Sequence, residues 1–160
     1  MTATVHDAFD AFAGALPPHG PLLGLDLGTK TIGVALSDGL RHVATPQRTL
    51  TRRKFTHDAE ALEATIAERD VAGLVLGLPL NMDGTTGPRI QATRAFARNL
   101  ARRIAVPIGF WDERLSTVAA ERALLEADAS RKRRSEIIDS VAAGYILQGA
   151  LDRLSHMGRT

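Results

Sequence analysis

Three acidic residues stand where acids are costly to place. Asp26 lies in the apolar stretch LLGLDLG, Glu113 in WDERLST, and Asp139 in SEIIDSVAAGYIL, flanked by Ile137, Ile138 and Val141. An ionised carboxylate taken out of water must be paired, protonated or metal-bound. The three are far apart in the chain, so no short motif joins them and only a fold can. Three clustered carboxylates repel one another unless divalent cations compensate, and an all-oxygen donor set suits Mg²⁺ or Mn²⁺. Two such ions about 3.5–4 Å apart form the clamp used for in-line phosphodiester hydrolysis. Each acid also has a plainer reading. Any of them can be a structural ion pair, Asp139 can complement a helix N-terminus, and Asp112 is the alternative to Glu113.

The elements that would position these acids follow from periodicity. Residues 22–28 read as a strand running into a tight turn, and 31–38 alternate Ile32, Val34 and Leu36 as the returning strand of a hairpin. A third strand is expected around 43–50. Residues 56–69 carry Ala59, Leu62 and Ile66 at helical spacing. Residues 73–78, GLVLGL, form a continuous apolar run, as a strand covered on both faces requires. Pro88 suits a first helical turn, and Ile90, Thr93, Ala97, Leu100 and Ile104 continue that helix to about residue 105. A fifth strand spans 106–111. A helix over 116–127, capped by Ser116 or Thr117, a basic loop, and a last helix from Ser135 to about Leu154 complete the chain.

The order is β-β-β-α-β-α-β-α-α. It predicts an α/β ribonuclease-H-like fold: a five-stranded mixed sheet, order 3-2-1-4-5, flanked by helices. Asp26 then sits on the central strand, Glu113 follows the fifth strand, and Asp139 belongs to a helix that can cross that face. The small residues Ala142, Ala143 and Gly144 would let the helix approach the sheet.

The net charge is only +2, yet basic residues cluster. Residues 41–54 hold Arg41, Arg48, Arg52, Arg53 and Lys54 with no acid, and residues 88–111 hold Arg89, Arg94, Arg98, Arg102 and Arg103 with no acid. Residues 131–134 read Arg-Lys-Arg-Arg. Clustered positive charge is the footprint of a polyanion binder; the plain alternative is a solvated face in a chain that favours Arg over Lys. Arg94, Arg98 and Arg102 stack along one helical face. The turn Gly28-Thr29-Lys30 either presents Lys30 to a phosphate or is a simple hairpin turn. In the loop 78–87, Asn81 and Asp83-Gly84 supply turn chemistry. That loop either positions a substrate backbone or is a structured surface loop. Arg114 either holds a phosphate or pairs with Asp112. Trp111 reads as core packing and the five histidines as surface residues.

Composition removes other classes. With no cysteine there is no disulfide framework, no Cys-ligated zinc, no iron–sulfur cluster and no thiol nucleophile. No apolar run approaches the ~18 residues of a spanning helix. The first twenty residues contain Asp7 and Asp10 and no Lys or Arg, unlike a secretory signal. A cytoplasmic protein with no membrane partner is expected. Aromatics are only 4% of the chain, which gives little support to base stacking. The cluster Pro17-Pro18-His19-Gly20-Pro21 divides the chain into an N-terminal extension (1–20), either a short helix or a loose arm, a main domain (21–154) and a C-terminal tail (155–160).

Four segments together resemble a known family. GLDLGTKTIGVALSD at 24–38, VLGLPLNMDGTTG at 75–87, DERLST at 112–117 and IIDSVAAGYILQ at 137–148 are similar, in order, to the motifs of the RuvX family, also called YqgF. These are Holliday-junction-resolvase-like proteins described as nucleases of precursor 16S ribosomal RNA. The resemblance implies a ribonuclease-H-like fold and a metal-dependent nuclease site. Asp26, Glu113 and Asp139 would be both catalytic residues and ligands of two Mg²⁺ or Mn²⁺ ions. Lys30, Asn81, Arg114, Arg131, Lys132, Arg133 and Arg134 are the candidate nucleic-acid contacts. Position 31 is Thr where the family frequently has Arg, which removes one phosphate contact.

The expected function is therefore a metal-dependent endonuclease acting on precursor ribosomal RNA, with ribosomal subunit precursors as partners. One alternative is a Holliday-junction-type DNA resolvase working on branched DNA as a homodimer, because that chemistry needs two coupled sites. The other is a ribosome-assembly or transcription factor that binds RNA without cutting it.

Overall fold

The computed structural model describes residues 2–80, 87–115 and 131–158, the last of these with side chains from Ile138 onward. Alternation decides which residues meet which layer. In β2 (Leu22–Leu27), β3 (Thr31–Ser37), β5 (Gly73–Leu78) and β6 (Ile108–Asp112), successive side chains point to opposite faces. Leu23, Leu25, Ile32, Val34, Leu74, Leu76, Ile108 and Phe110 fall on one face. They bury against Leu62 of helix α2 (Phe55–Arg69) and Ala97 and Leu100 of helix α3 (Pro88–Ala101). Leu22, Ala35, Val75 and Trp111 fall on the other face. They meet Ala142, Ala143, Ile146, Leu147 and Leu151 of the long helix α4 (Arg131–His156).

The sheet order is β1-β6-β5-β2-β3-β4, with β4 at Ala44–Thr51. β2 runs antiparallel to β3 and parallel to β5, and β5 runs parallel to β6. The five expected strands stand in the expected order. The sheet has a sixth, however: β1 (Val5–His6) adds to the far edge, pairing Val5 with Ile108 and His6 with Gly109. Helix α1 (Phe9–Ala15) then lays Phe12 across Gly109 and Gly73. A Cβ on Gly109 would stand 2.4 Å from Phe12 Cγ, so the missing side chain is what lets the ring in. Phe12 is fully buried, which contributes about 1.5–3 kcal/mol. His6 is half-buried beside that ring rather than exposed, because the edge strand carries it against α1.

Two expected boundaries move. Helix α4 already includes Arg131–Arg134, so the basic tract is helical and Ser135 lies inside the helix instead of capping it. Arg and Lys are good helix formers, and nothing in the tract breaks the helix. Asp139 consequently lies more than two turns in, too far to complement an N-terminus, where the effect fades within the first turn. Helix α3 ends at Ala101, short of residue 105. The helix expected over 116–127 lies outside the described residues. Among the described residues no helix is long and apolar enough to cross a membrane.

Candidate active site

Asp26 is the fifth residue of β2 and is 4% exposed. It shares a face with Leu22 and Gly24, the face covered by α4. Its cross-strand partner on β3 is Gly33. On the other side, Leu25 pairs with Leu76, so Gly77 follows in the next row of β5. Asp26 is thus flanked on both neighbouring strands by a residue without a side chain.

Each flanking glycine lies beneath one of the other two acids. A Cβ built on Gly33 would stand 1.9 Å from the Asp139 carbonyl oxygen, so α4 rests its Asp139 backbone directly on β3 there. A Cβ on Gly77 would meet Glu113 Oε2 at 3.0 Å and the tip of Ile146 at 2.5 Å. Glu113 opens a single 3₁₀ turn (Glu113–Leu115) just past the carboxyl end of β6, and it is half-buried. Asp139, also half-buried, accepts a hydrogen bond at Oδ2 from Thr31 Oγ1 at 2.5 Å.

The neighbouring acid Asp112 is engaged elsewhere. Its carboxylate accepts the Arg114 backbone N–H at 2.9 Å and the Arg114 guanidinium at 3.0 Å from Nε and 2.7 Å from Nη2. These bonds from the Arg114 side chain hold the Asp112 carboxyl below its ordinary value, against a smaller opposing effect of burial. Of the two adjacent acids, Glu113 is the one oriented over the Asp26 row. Arg114 is in turn held by Asp112, the plainer of its two expected roles.

The donor set Asp26, Glu113 and Asp139 is all oxygen, which suits a hard divalent cation. The bare glycines give the two outer acids room to come down beside the central one, so the residues fit such an ion in kind and in strand position. As they stand, no three His, Asp or Glu side chains among the described residues converge closely enough to hold one. Asp139 is turned to Thr31 instead.

Several arginines of the basic windows are engaged within the fold. Arg41, 2% exposed, donates from Nε to the Gly20 carbonyl at 2.8 Å and from Nη2 to Pro17 at 2.9 Å. It fastens the proline-rich connection to the domain. Arg94 pairs with Asp7 of the N-terminal segment, and Arg103 pairs with Glu63 of α2. Arg94 of the α3 stripe therefore finds its counter-charge on another element, which a window free of acids could not reveal. Lys30 is exposed on the turn after β2. Asn81 and the side chains of Arg131, Lys132, Arg133 and Arg134 lie outside what the structure describes.

Sequence reasoning missed Gly33, Gly77 and Thr31. The signal for the glycines was present, since an isolated glycine within a strand pattern marks close approach of another backbone. The helix was instead expected to approach through its own small residues. Thr31 was noted only as a lost phosphate contact, and its bond to Asp139 had no signal beyond a hydroxyl at a strand start.

Comparison with known proteins gives the family of the chain and the likeness of its fold. A family model described as RuvX, Holliday junction resolvase, matches residues 20–153. A Rhodobacter capsulatus protein named "Putative pre-16S rRNA nuclease" is 69% identical over 150 residues, covering 94% of each chain. A Cereibacter sphaeroides protein of the same name is 66% identical over 155 residues, covering 97% of each. Among solved structures, Thermus thermophilus RuvC in complex with a Holliday junction substrate superposes with a TM-score of 0.57. Its identity is 12%, covering 88% of this chain and 98% of that one, a likeness of fold. The yeast mitochondrial Holliday junction resolvase gives 0.50 at 12% identity, covering 92% and 86%. A family model matched over residues 20–153 and relatives about two-thirds identical over almost the whole length lead to one assignment: this chain belongs to the RuvX family.

Proposed function

We propose that this chain is a metal-dependent endonuclease that hydrolyses phosphodiester bonds in precursor 16S ribosomal RNA. The observation that carries the reading is the flanking of buried Asp26 by Gly33 and Gly77, which brings the Asp139 backbone and the Glu113 carboxylate to either side of one central acid. The names of the relatives supply the substrate.

Asp26, Glu113 and Asp139 would hold two Mg²⁺ or Mn²⁺ ions. When bound, such a pair supplies an activated water and stabilises the leaving oxygen. The chain's own residues set the stage. Asp26 is fixed by the central strand and cannot move without the sheet. Thr31 holds one oxygen of Asp139. Arg114, the residue after Glu113, is held by Asp112. Lys30, Asn81 and the tract Arg131–Arg134 are the proposed contacts to the RNA backbone. Such contacts fix register and carry no sequence information. The partners of this reading are ribosomal subunit precursors in the cytoplasm.

The test offers wild-type protein three substrates in Mn²⁺: a precursor 16S fragment, the matching mature sequence and a DNA four-way junction. Cutting of the precursor alone supports the reading. Cutting of the junction in preference, by a dimer, replaces it with a resolvase. RNA binding without any cutting replaces it with an assembly factor.

A further inference from the structure

Two arginines from separate elements converge on the turn that follows Asp26. Arg52, just past β4, donates from Nη1 to the Gly28 carbonyl at 2.7 Å. Arg89, in the first turn of α3, donates from Nη2 to the Leu27 carbonyl at 3.2 Å. Between them lies a cleft of about 50 Å³ lined by Leu27, Gly28, Thr29, Arg52, Ala92 and Thr93 together with Arg89. One water needs ~10–15 Å³, so the cleft has room for a group the size of a phosphate.

Its electrostatics point the same way. Among the described residues no carboxylate lines the cleft, and neither arginine has an acidic partner. Each guanidinium has five N–H donors, and one from each reaches a carbonyl here. Arg52 is half-buried and also lies over the Phe96 ring at 5.6 Å, which fixes its plane. Arg89 stands near the positive end of α3, where a cation is disfavoured unless something offsets it. Two pre-oriented guanidinium groups with no acidic partner among the described residues match the bidentate geometry of a phosphate.

We propose that Arg52 and Arg89 form a subsite for one phosphate of the nucleic-acid strand, beside the phosphodiester that Asp26 addresses. It rests on the nuclease reading for its ligand. Leu27 points to the face opposite Asp26. The strand would therefore cross the end of the sheet, with the scissile group on the α4 side and the neighbouring phosphate on the α3 side.

The test measures binding of a single-stranded RNA and of DNA of the same sequence, in EDTA, from 50 to 200 mM salt as the range suited to such slopes. Wild type is compared with Arg89→Gln and with Arg52→Gln/Arg89→Gln, each checked for folding by circular dichroism. Losing the one phosphate contact should flatten the slope of log K against log salt by about 0.7 in the double variant, and by a measurable part of that in Arg89→Gln. RNA and DNA should respond alike. If the double variant does not fold, exposed Arg89 alone decides. Unchanged slopes in a folded variant overturn the subsite and show the two arginines to be clamps on the turn. Flattening on RNA alone, or no binding by wild type, also overturns it. The nuclease reading stands or falls separately, on Mn²⁺-dependent cutting by the wild type.

Discussion

The hydroxyl of Thr31, first residue of β3, donates to the Asp139 carboxylate of α4 at 2.5 Å. Two residues further along β3, Gly33 lies directly beneath the Asp139 backbone. One strand thus fixes both the position of Asp139 and the direction of its carboxylate. A hydroxyl on the non-liganding oxygen is how an outer contact orients a metal ligand.

Thr31→Val keeps the shape and removes the donor. Affinity for Mn²⁺ should fall about 10–100-fold, read by calorimetric titration, and Thr31→Ser should restore it. Stability without metal should change by only about 0.5–1.5 kcal/mol. An unchanged Mn²⁺ affinity in Thr31→Val would remove the hydroxyl from any positioning role.

The two glycines beside Asp26 should respond differently. In Gly33→Ala the new methyl collides with helix backbone, which must shift, at about 1–3 kcal/mol for overpacking. In Gly77→Ala it meets mainly the movable tip of Ile146, and the loss should be smaller. Gly39→Ala, with open space around it, is the control. Urea melts rank the three, and a Gly33→Ala protein as stable as Gly39→Ala would contradict the packing described.

Most of the fold was legible because its strands alternate cleanly: Leu23 and Leu25 against Leu22 and Gly24 define two faces without ambiguity. The three acids were legible because each sits among apolar residues. What was hidden depends on distant pairing. Val5 and His6 offer two residues of strand, too few for a periodic signal, and only Ile108 and Gly109 make them one. Arg94 looked uncompensated because its partner, Asp7, lies 87 residues away in the N-terminal segment.

The N-terminal segment belongs to the core, so Phe12→Ala should cost about 3–5 kcal/mol. The ring fills the space left by Gly73 and Gly109. Thermal melting checks it. A loss below about 1 kcal/mol, near the scale of a surface change, would mean the segment only rests on the sheet.

Asp112 gives a pH dependence with a definite sign. Its carboxyl is held below the ordinary value by Arg114. A lowered acid contributes stability above its unfolded value, near 3.8, and loses it as pH falls through the folded value. The stability difference between wild type and Arg114→Ala should be constant at neutral pH, about 0.2–1 kcal/mol for an exposed pair. It should shrink below about pH 4. Chemical denaturation at a series of pH values reads this, and a difference that grows in acid would contradict the pairing.

The most direct measurement compares Mn²⁺-dependent cleavage of a precursor 16S RNA fragment by wild type and by Asp26→Asn, both shown to be folded. A nuclease centred on the acid between Gly33 and Gly77 cuts as wild type and loses nearly all cutting as Asp26→Asn, with RNA binding retained. Equal cleavage rates in the two proteins would contradict it.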